Sequence, residues 1–299
     1  MSDHQAILFC ADIHGNIEQY KKITSFAIEN NIRNIILGGD LLPKDGGRWN
    51  PANKIRTPSA QVKFIKKHFI PWVLSLSKRK IKIYFIFGND DFRVNESLVK
   101  SIGSQIYYLA NGTPIKISQK VSIIGYPYVS LTPFLNKDWE KWDTSNYIAN
   151  KIFTKRGFKL QSSTRHIPVD YDLPQMKSDT IQKDLEVLAQ LSLTKKTIFL
   201  FHDAPYNTFL DMTTIHNPFT TNKNRHVGSQ AILGFIKKHQ PFLTLHGHIH
   251  HTFEVSKHFR QTIGKTIALT CGNLPEDKHP AVIVFDIQNP SKARRIILK

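Results

Sequence analysis

The chain has 299 residues, with 41 Lys+Arg against 23 Asp+Glu and a formal net charge of +18. At 40% hydrophobic and 21% charged residues it carries enough apolar side chains for a sizeable core, which excludes wholesale disorder. No uninterrupted apolar stretch approaches the ~18 residues of a membrane-crossing helix, and Met1 to Gln5 shows no basic-then-apolar leader pattern, so a protein without membrane insertion is expected. Two cysteines, Cys10 and Cys271, form at most one bridge; this excludes a disulfide framework and makes a reducing, cytoplasmic compartment the expectation. The positive surplus suits an anionic partner, whether nucleic acid, phosphorylated metabolite or lipid headgroup.

In chain order, short β-branched and aromatic runs alternate with amphipathic helical patterns, the signature of an α/β architecture. Residues 6–11 read as a strand, followed by a helix on which Ile17, Tyr20, Ile23, Ala27 and Ile28 share a face. A strand at 34–37 leads into a Pro/Gly-rich basic stretch at 43–59, then a helix through Val62, Ile65, Phe69 and Val73 and strands at 81–87 and 121–125. The stretch 126–177 has no clear periodicity and reads as an insertion that either caps a site or packs as a peripheral subdomain away from it. A helix through Ile181, Leu185, Leu188 and Leu191 then precedes strands at 197–201, 242–245, 266–270 and 281–286. Several strands are continuously apolar, which implies burial on both faces.

The chemistry lies at the strand ends, where ligand-binding residues converge in open α/β sheets. The first strand runs into Asp12-Ile13-His14-Gly15-Asn16, the second into Gly38-Gly39-Asp40 and the third into Gly88-Asn89-Asp90-Asp91. Later strands end in His202-Asp203 and in His246-Gly247-His248-Ile249-His250-His251. A lone Asp after a strand is ordinary helix-cap or turn chemistry, but five metal-competent ends in one chain are not. Carboxylate, imidazole and amide donors together suit divalent Mn, Fe or Zn. Whether His248 and His250 point to one face, as on a strand, or to two metals, as on a turn, is left open by their spacing.

These blocks resemble the calcineurin-like metallophosphoesterase superfamily, whose motifs run D-x-H, G-D, G-N-H-D/E, H and G-H-x-H. The resemblance extends from residue 12 to 250. It implies an α/β fold in the form of a four-layer αββα sandwich, a single domain over residues 1–299, and a two-metal centre. Asp12, His14 and His250 would hold one divalent ion, Asn89, His202 and His248 the other, and Asp40 would bridge them. The implied activity is hydrolysis of a phosphodiester or phosphomonoester by attack of a metal-bound hydroxide, with a phosphorylated anionic substrate as partner.

One block departs from the pattern, because Asp90 stands where many members have His. An ionised Asp beside a phosphate repels it, so Asp90 substitutes for that His only with a raised pKa, or by positioning another group. A catalytically attenuated scaffold is therefore the alternative reading. Asp91 is expected to orient a ligand from behind, Gly15 to let the backbone approach the metals and Asn16 to cap the next helix. His246 and His251 flank the ligands as lesser candidates for the missing proton donor. Arg48, with its bidentate fork, is the candidate substrate contact in a loop that also carries Lys54 and Arg56. Lys155, Arg156, Lys159 and Arg165, interleaved with Phe153 and Phe158, provide the basis for a nuclease-like reading with a nucleic-acid partner.

Overall fold

Strands that are apolar on both faces must be covered twice, and two large sheets achieve this by stacking on each other and beneath helices. The structure, a computed structural model, describes residues 6–44, 58–100, 102–110, 112–145, 153–162, 165–192, 194–214 and 226–299. In the first six-stranded sheet, Ala6–Cys10 pairs in parallel with Asn34–Gly38, which pairs with Lys82–Ile86 and then Ile106–Tyr108. Its other side is antiparallel, through Ala281–Asp286 and Asn289–Ile297. In the second, Ser122–Tyr126, Thr197–Phe201, Leu243–His246 and Thr266–Thr270 run parallel, flanked by antiparallel Ile115–Lys116 and Arg260–Ile263.

Side-chain alternation divides each strand between two cores. Ile7, Phe9, Ile36, Tyr84 and Ile86 of the first sheet meet Ile123, Ile198, Leu200, Leu245 and Leu269 of the second. Leu8, Cys10, Ile35, Leu37 and Phe85 face outwards onto Tyr20, Ile23 and Ala27 of the helix Ile17–Glu29, and onto Val73 and Leu76. On the far side Phe199 and Phe201 pack under Ile181, Leu185 and Leu188 and under Ile232, Phe235 and Ile236, from the helices Ile181–Leu191 and Gln230–His239. Helix, sheet, sheet, helix is the four-layer order expected.

The helix through Val62 and Val73 runs from Ser59 to Lys78 with a π-helical turn at Ile65–Phe69. Pro71 follows that turn directly, and a proline has no amide hydrogen to continue the regular ladder, which accounts for the local widening.

The stretch 126–177 contains short elements where none was legible. Val129–Ser130 pairs with Glu140–Lys141, Arg156–Leu160 pairs with His166–Asp170, and Leu131, Trp142 and Tyr171 form a small core of their own. Three hydrogen bonds tie this segment to the 88–93 loop: Asn136 Nδ2 donates to the Asn89 carbonyl (3.1 Å), Trp139 Nε1 to the Asp91 carbonyl (2.7 Å), and the Arg93 amide to Asp138 (3.0 Å). Among the described residues no helix is long and apolar enough to cross a membrane.

Candidate metal centre

The loops that carry the polar residues leave the carboxyl ends of parallel strands from both sheets and curl together. Asp12 N donates to the Gly39 carbonyl (3.0 Å), His14 N to the Asp40 carbonyl (2.8 Å) and Gly15 N to the Leu41 carbonyl (2.8 Å), so the first two loops continue side by side beyond their strands. That path takes Asp12, His14, Asp40 and His248 into left-handed backbone, at φ of 59°, 46°, 50° and 67°. Each such residue costs on the order of 1 kcal/mol or more, and strain of this kind collects where side chains must be aimed. Gly39 and Gly88 permit the close approach: a Cβ on Gly39 would lie 2.5 Å from His202 Nδ1, and one on Gly88 would strike Asp40 and His202.

Two groups of candidate ligand atoms result, each with its atoms within 4.8 Å of one another: Asp12, His14, Asp40 and His250, and Asp40, His202 and His248. Asp40 belongs to both. Asn89 joins the second, its Oδ1 lying 3.0 Å from His202 Nε2. The open question about His248 and His250 is answered by a tight turn, in which Ile249 N donates to the Gly247 carbonyl (2.8 Å) and the two rings go to different groups.

The donors are buried and held from behind. His202 Nδ1 lies 2.8 Å from the Gly38 carbonyl, which directs Nε2 into the site. Asp12 Oδ1 accepts from His248 N (2.9 Å) and Asp40 Oδ1 from Asp90 N (2.8 Å). Burial raises Asp12 to about 7, with His202 partly offsetting it. Burial alone would raise Asp40 as well, but the charges of His202 and His14 hold it well below the usual carboxylate range. Burial would likewise lower His202, yet Asp40 lifts it to about 10. His14 and His250 are both lowered by burial, and their Nε2 atoms face each other at 3.2 Å. Two carboxylates and four imidazoles gathered in one buried place, with opposed lone pairs and a buried His14 Nδ1 that has no hydrogen-bond partner, form a donor set that divalent cations fit.

Other expected residues fall as follows. The Asp91 carboxylate accepts from Leu41 N, Leu42 N and Gly88 N (3.0, 2.8 and 3.0 Å), bracing the two loops that carry Asp40 and Asn89. Gly15 passes close against Pro43, where a Cβ would sit 2.6 Å from the ring. Asn16 does cap the helix, accepting from Gln19 N (3.3 Å). His246 is buried between the Asp203 carbonyl and Thr244 Oγ1, both at 2.8 Å, and His251 pairs with Glu254 on the surface, so neither faces the cluster as a proton donor. Arg48, Lys54 and Arg56 lie outside the described residues. Lys155 and Arg156 are engaged with Asp172 and Asp170, each at 2.9 Å, which offsets much of the basic face in that segment.

Two contributors were not singled out from the sequence. Asn273, buried beyond the strand Thr266–Thr270, donates from Nδ2 to the carbonyls of Ala11 (3.1 Å) and Asp12 (3.2 Å); it sits at a strand end like the recognised blocks, and that position was its signal. Lys44 lies 3.3 Å from Asp90.

Two mixed sheets packed face to face under helices, with a carboxylate and imidazole cluster at their carboxyl ends, place the protein among the phosphoesterase sandwiches. The chain belongs to the calcineurin-like phosphoesterase family, whose sequence profile matches residues 6–252. It is 29% identical over 103 residues to a UDP-2,3-diacylglucosamine hydrolase of Shewanella piezotolerans; the match takes in 31% of this chain and spans 43% of that protein's length. The protein TT1561 of Thermus thermophilus superposes with a TM-score of 0.52 at 16% identity over 99% of both chains. A further solved structure reaches 0.61 at 13% identity, also over 99% of both, and these two likenesses speak for the fold alone.

Proposed function

We propose that the chain hydrolyses phosphate esters at a centre of two divalent cations, with Asp12, His14 and His250 holding one, Asn89, His202 and His248 the other, and Asp40 shared. The sharing of Asp40 between two ligand groups carries this reading. When bound, such a pair of cations, Mn, Fe or Zn, supplies the Lewis acidity that clamps a phosphoryl group and activates water for in-line displacement. The chain is read as one such domain, with the 126–177 segment as a cap over the Asn89 loop.

The remaining work falls to this chain's own groups. Gly38 fixes the ring of His202, and the amides of His248 and Asp90 align Asp12 and Asp40. Asp91, by gathering amides from both the 41–42 and 88 backbones, sets the separation between Asp40 and Asn89. Asn136 then holds the Asn89 backbone. Both cysteines are buried in strand-end cores, so a thiol nucleophile has no part in this reading.

The Shewanella relative is named for UDP-2,3-diacylglucosamine, so that compound belongs in a substrate panel beside phosphomonoesters, cyclic nucleotides, dinucleotides and oligonucleotides. Manganese-loaded protein is expected to cleave an activated aryl phosphodiester. A protein that takes up no divalent metal and cleaves none of the panel would refute the proposal.

A further inference from the structure

Asp90 presents a problem of charge, since a carboxylate beside a centre that takes an anionic phosphate repels the substrate. Its side chain is 7% exposed and lies 3.3 Å from Lys44 Nζ, while the same oxygen is 3.8 Å from the buried, unpartnered His14 Nδ1. Asp90 thus stands between the candidate metal ligands and a lysine.

Lys44 is placed there by its loop. Leu41 and Leu42 are tied to Asp91, the Leu41 carbonyl accepts from Tyr20 Oη (2.8 Å), and the Pro43 carbonyl accepts from Gln61 Nε2 (3.1 Å). The same Gln61 amide donates to the Asp90 carbonyl (2.7 Å), so one side chain locks the two loops in register. Beyond this braced run the Lys44 ammonium stands 5.9 Å from the centre of the Phe134 ring, with 42% of the side chain open to solvent. A braced origin and an anionic anchor together restrict where a flexible side chain can place its charge.

The geometry points to Lys44 as a substrate-contacting residue, held by Asp90 so that its ammonium binds a non-bridging oxygen of the phosphoryl group at the two-cation centre. Asp90 is then the positioning residue, and the pair does the work of the missing His: the carboxylate aims the cation and the cation cancels the repulsion of the carboxylate. A lysine suits this as a compact point charge. The inference rests on the proposed two-cation reading.

The test uses manganese-loaded protein, with metal content by elemental analysis and inorganic phosphate as the probe in calorimetry. Lys44→Ala is expected to keep the wild-type metal content and to weaken phosphate binding by about ten- to hundredfold, the range of one charge-assisted hydrogen bond. Lys44→Arg should retain most of the affinity. Because Lys44→Ala removes the cation that stands 3.3 Å from the Asp90 carboxylate, the double variant with Asp90→Ala should bind phosphate more tightly than Lys44→Ala alone. Phosphate binding within twofold of wild type in Lys44→Ala, or no recovery in the double variant, would overturn the assignment. A wild type that takes up no manganese fails differently, since it removes the metal centre on which the assignment rests.

Discussion

Loading the site with divalent cations should expel protons, and the number follows from the buried groups. In the metal-free protein His202 lies between the Gly38 carbonyl (2.8 Å), Asn89 Oδ1 (3.0 Å) and Asp40 Oδ1 (3.5 Å). Burial alone would lower it, but Asp40 raises it to about 10, so its ring is an imidazolium at neutral pH and has no lone pair to offer. Uptake at the second ligand group therefore releases one proton, and apparent affinity rises about tenfold per pH unit until the pH passes that value. Asp12, raised by burial to about 7, adds a second released proton below that pH. From pH 7 to 9 the gain in binding free energy is about 2.7 kcal/mol, at ~1.36 kcal/mol per unit. Calorimetric titration with manganese in buffers of different ionisation enthalpy measures the release directly. A proton count near zero across pH 6 to 9, or an affinity flat with pH, would mean that His202 is not the proton-releasing ligand; His202→Gln should lose the pH-dependent site.

Phe9 is fully buried between the sheets, and Phe9→Ala should cost about 3–5 kcal/mol in urea unfolding. Asn273→Ala removes the donor to the Asp12 carbonyl and is expected to lower metal affinity at least about tenfold, the lower end for groups that hold ligands from behind, measured by competition with a chelator. His226 Nδ1 bonds to Asp211 at 2.7 Å, which raises the His226 pKa. That contribution is complete below the unfolded value near ~6.5 and disappears as pH rises through the raised folded value. Thermal unfolding should show a downward drift as the pH rises above the unfolded value, which His226→Gln abolishes.

Much of this architecture was legible because the strands that matter are buried on both faces. Continuous runs such as Thr197–Phe201 are short, β-branched and aromatic and bounded by polar turn residues, and that punctuation falls where the sheets end. Edge elements were not legible. Asn289–Ile297 mixes Pro290, Lys292, Arg294 and Arg295 into an edge strand, where a missing amide and exposed charges are tolerated. The ladders inside 126–177 are short: Val129–Ser130 and Glu140–Lys141 span two residues each, and Arg156–Leu160 and His166–Asp170 are half-exposed, so none shows a strong alternation. At the site, residue types and strand ends located the ligand candidates, but direction came from tertiary bracing. Asp91 reads from the sequence only as holding a ligand from behind; that it does its bracing through the backbone amides of Leu41, Leu42 and Gly88 shows only in the fold. Lys44 lies four residues after Asp40 and carries no motif; only the meeting of two loops through Gln61 shows what it faces.

On the proposed reading, Asp40 joins two cation sites into one centre. Manganese titration followed by electron paramagnetic resonance tests it most directly, because two ions ~3.5–4 Å apart across one carboxylate couple their spins. Saturation is expected at two manganese ions per chain with a coupled spectrum, and Asp40→Asn should lose the coupling. Saturation at a single isolated ion, or coupling that persists in Asp40→Asn, would contradict it.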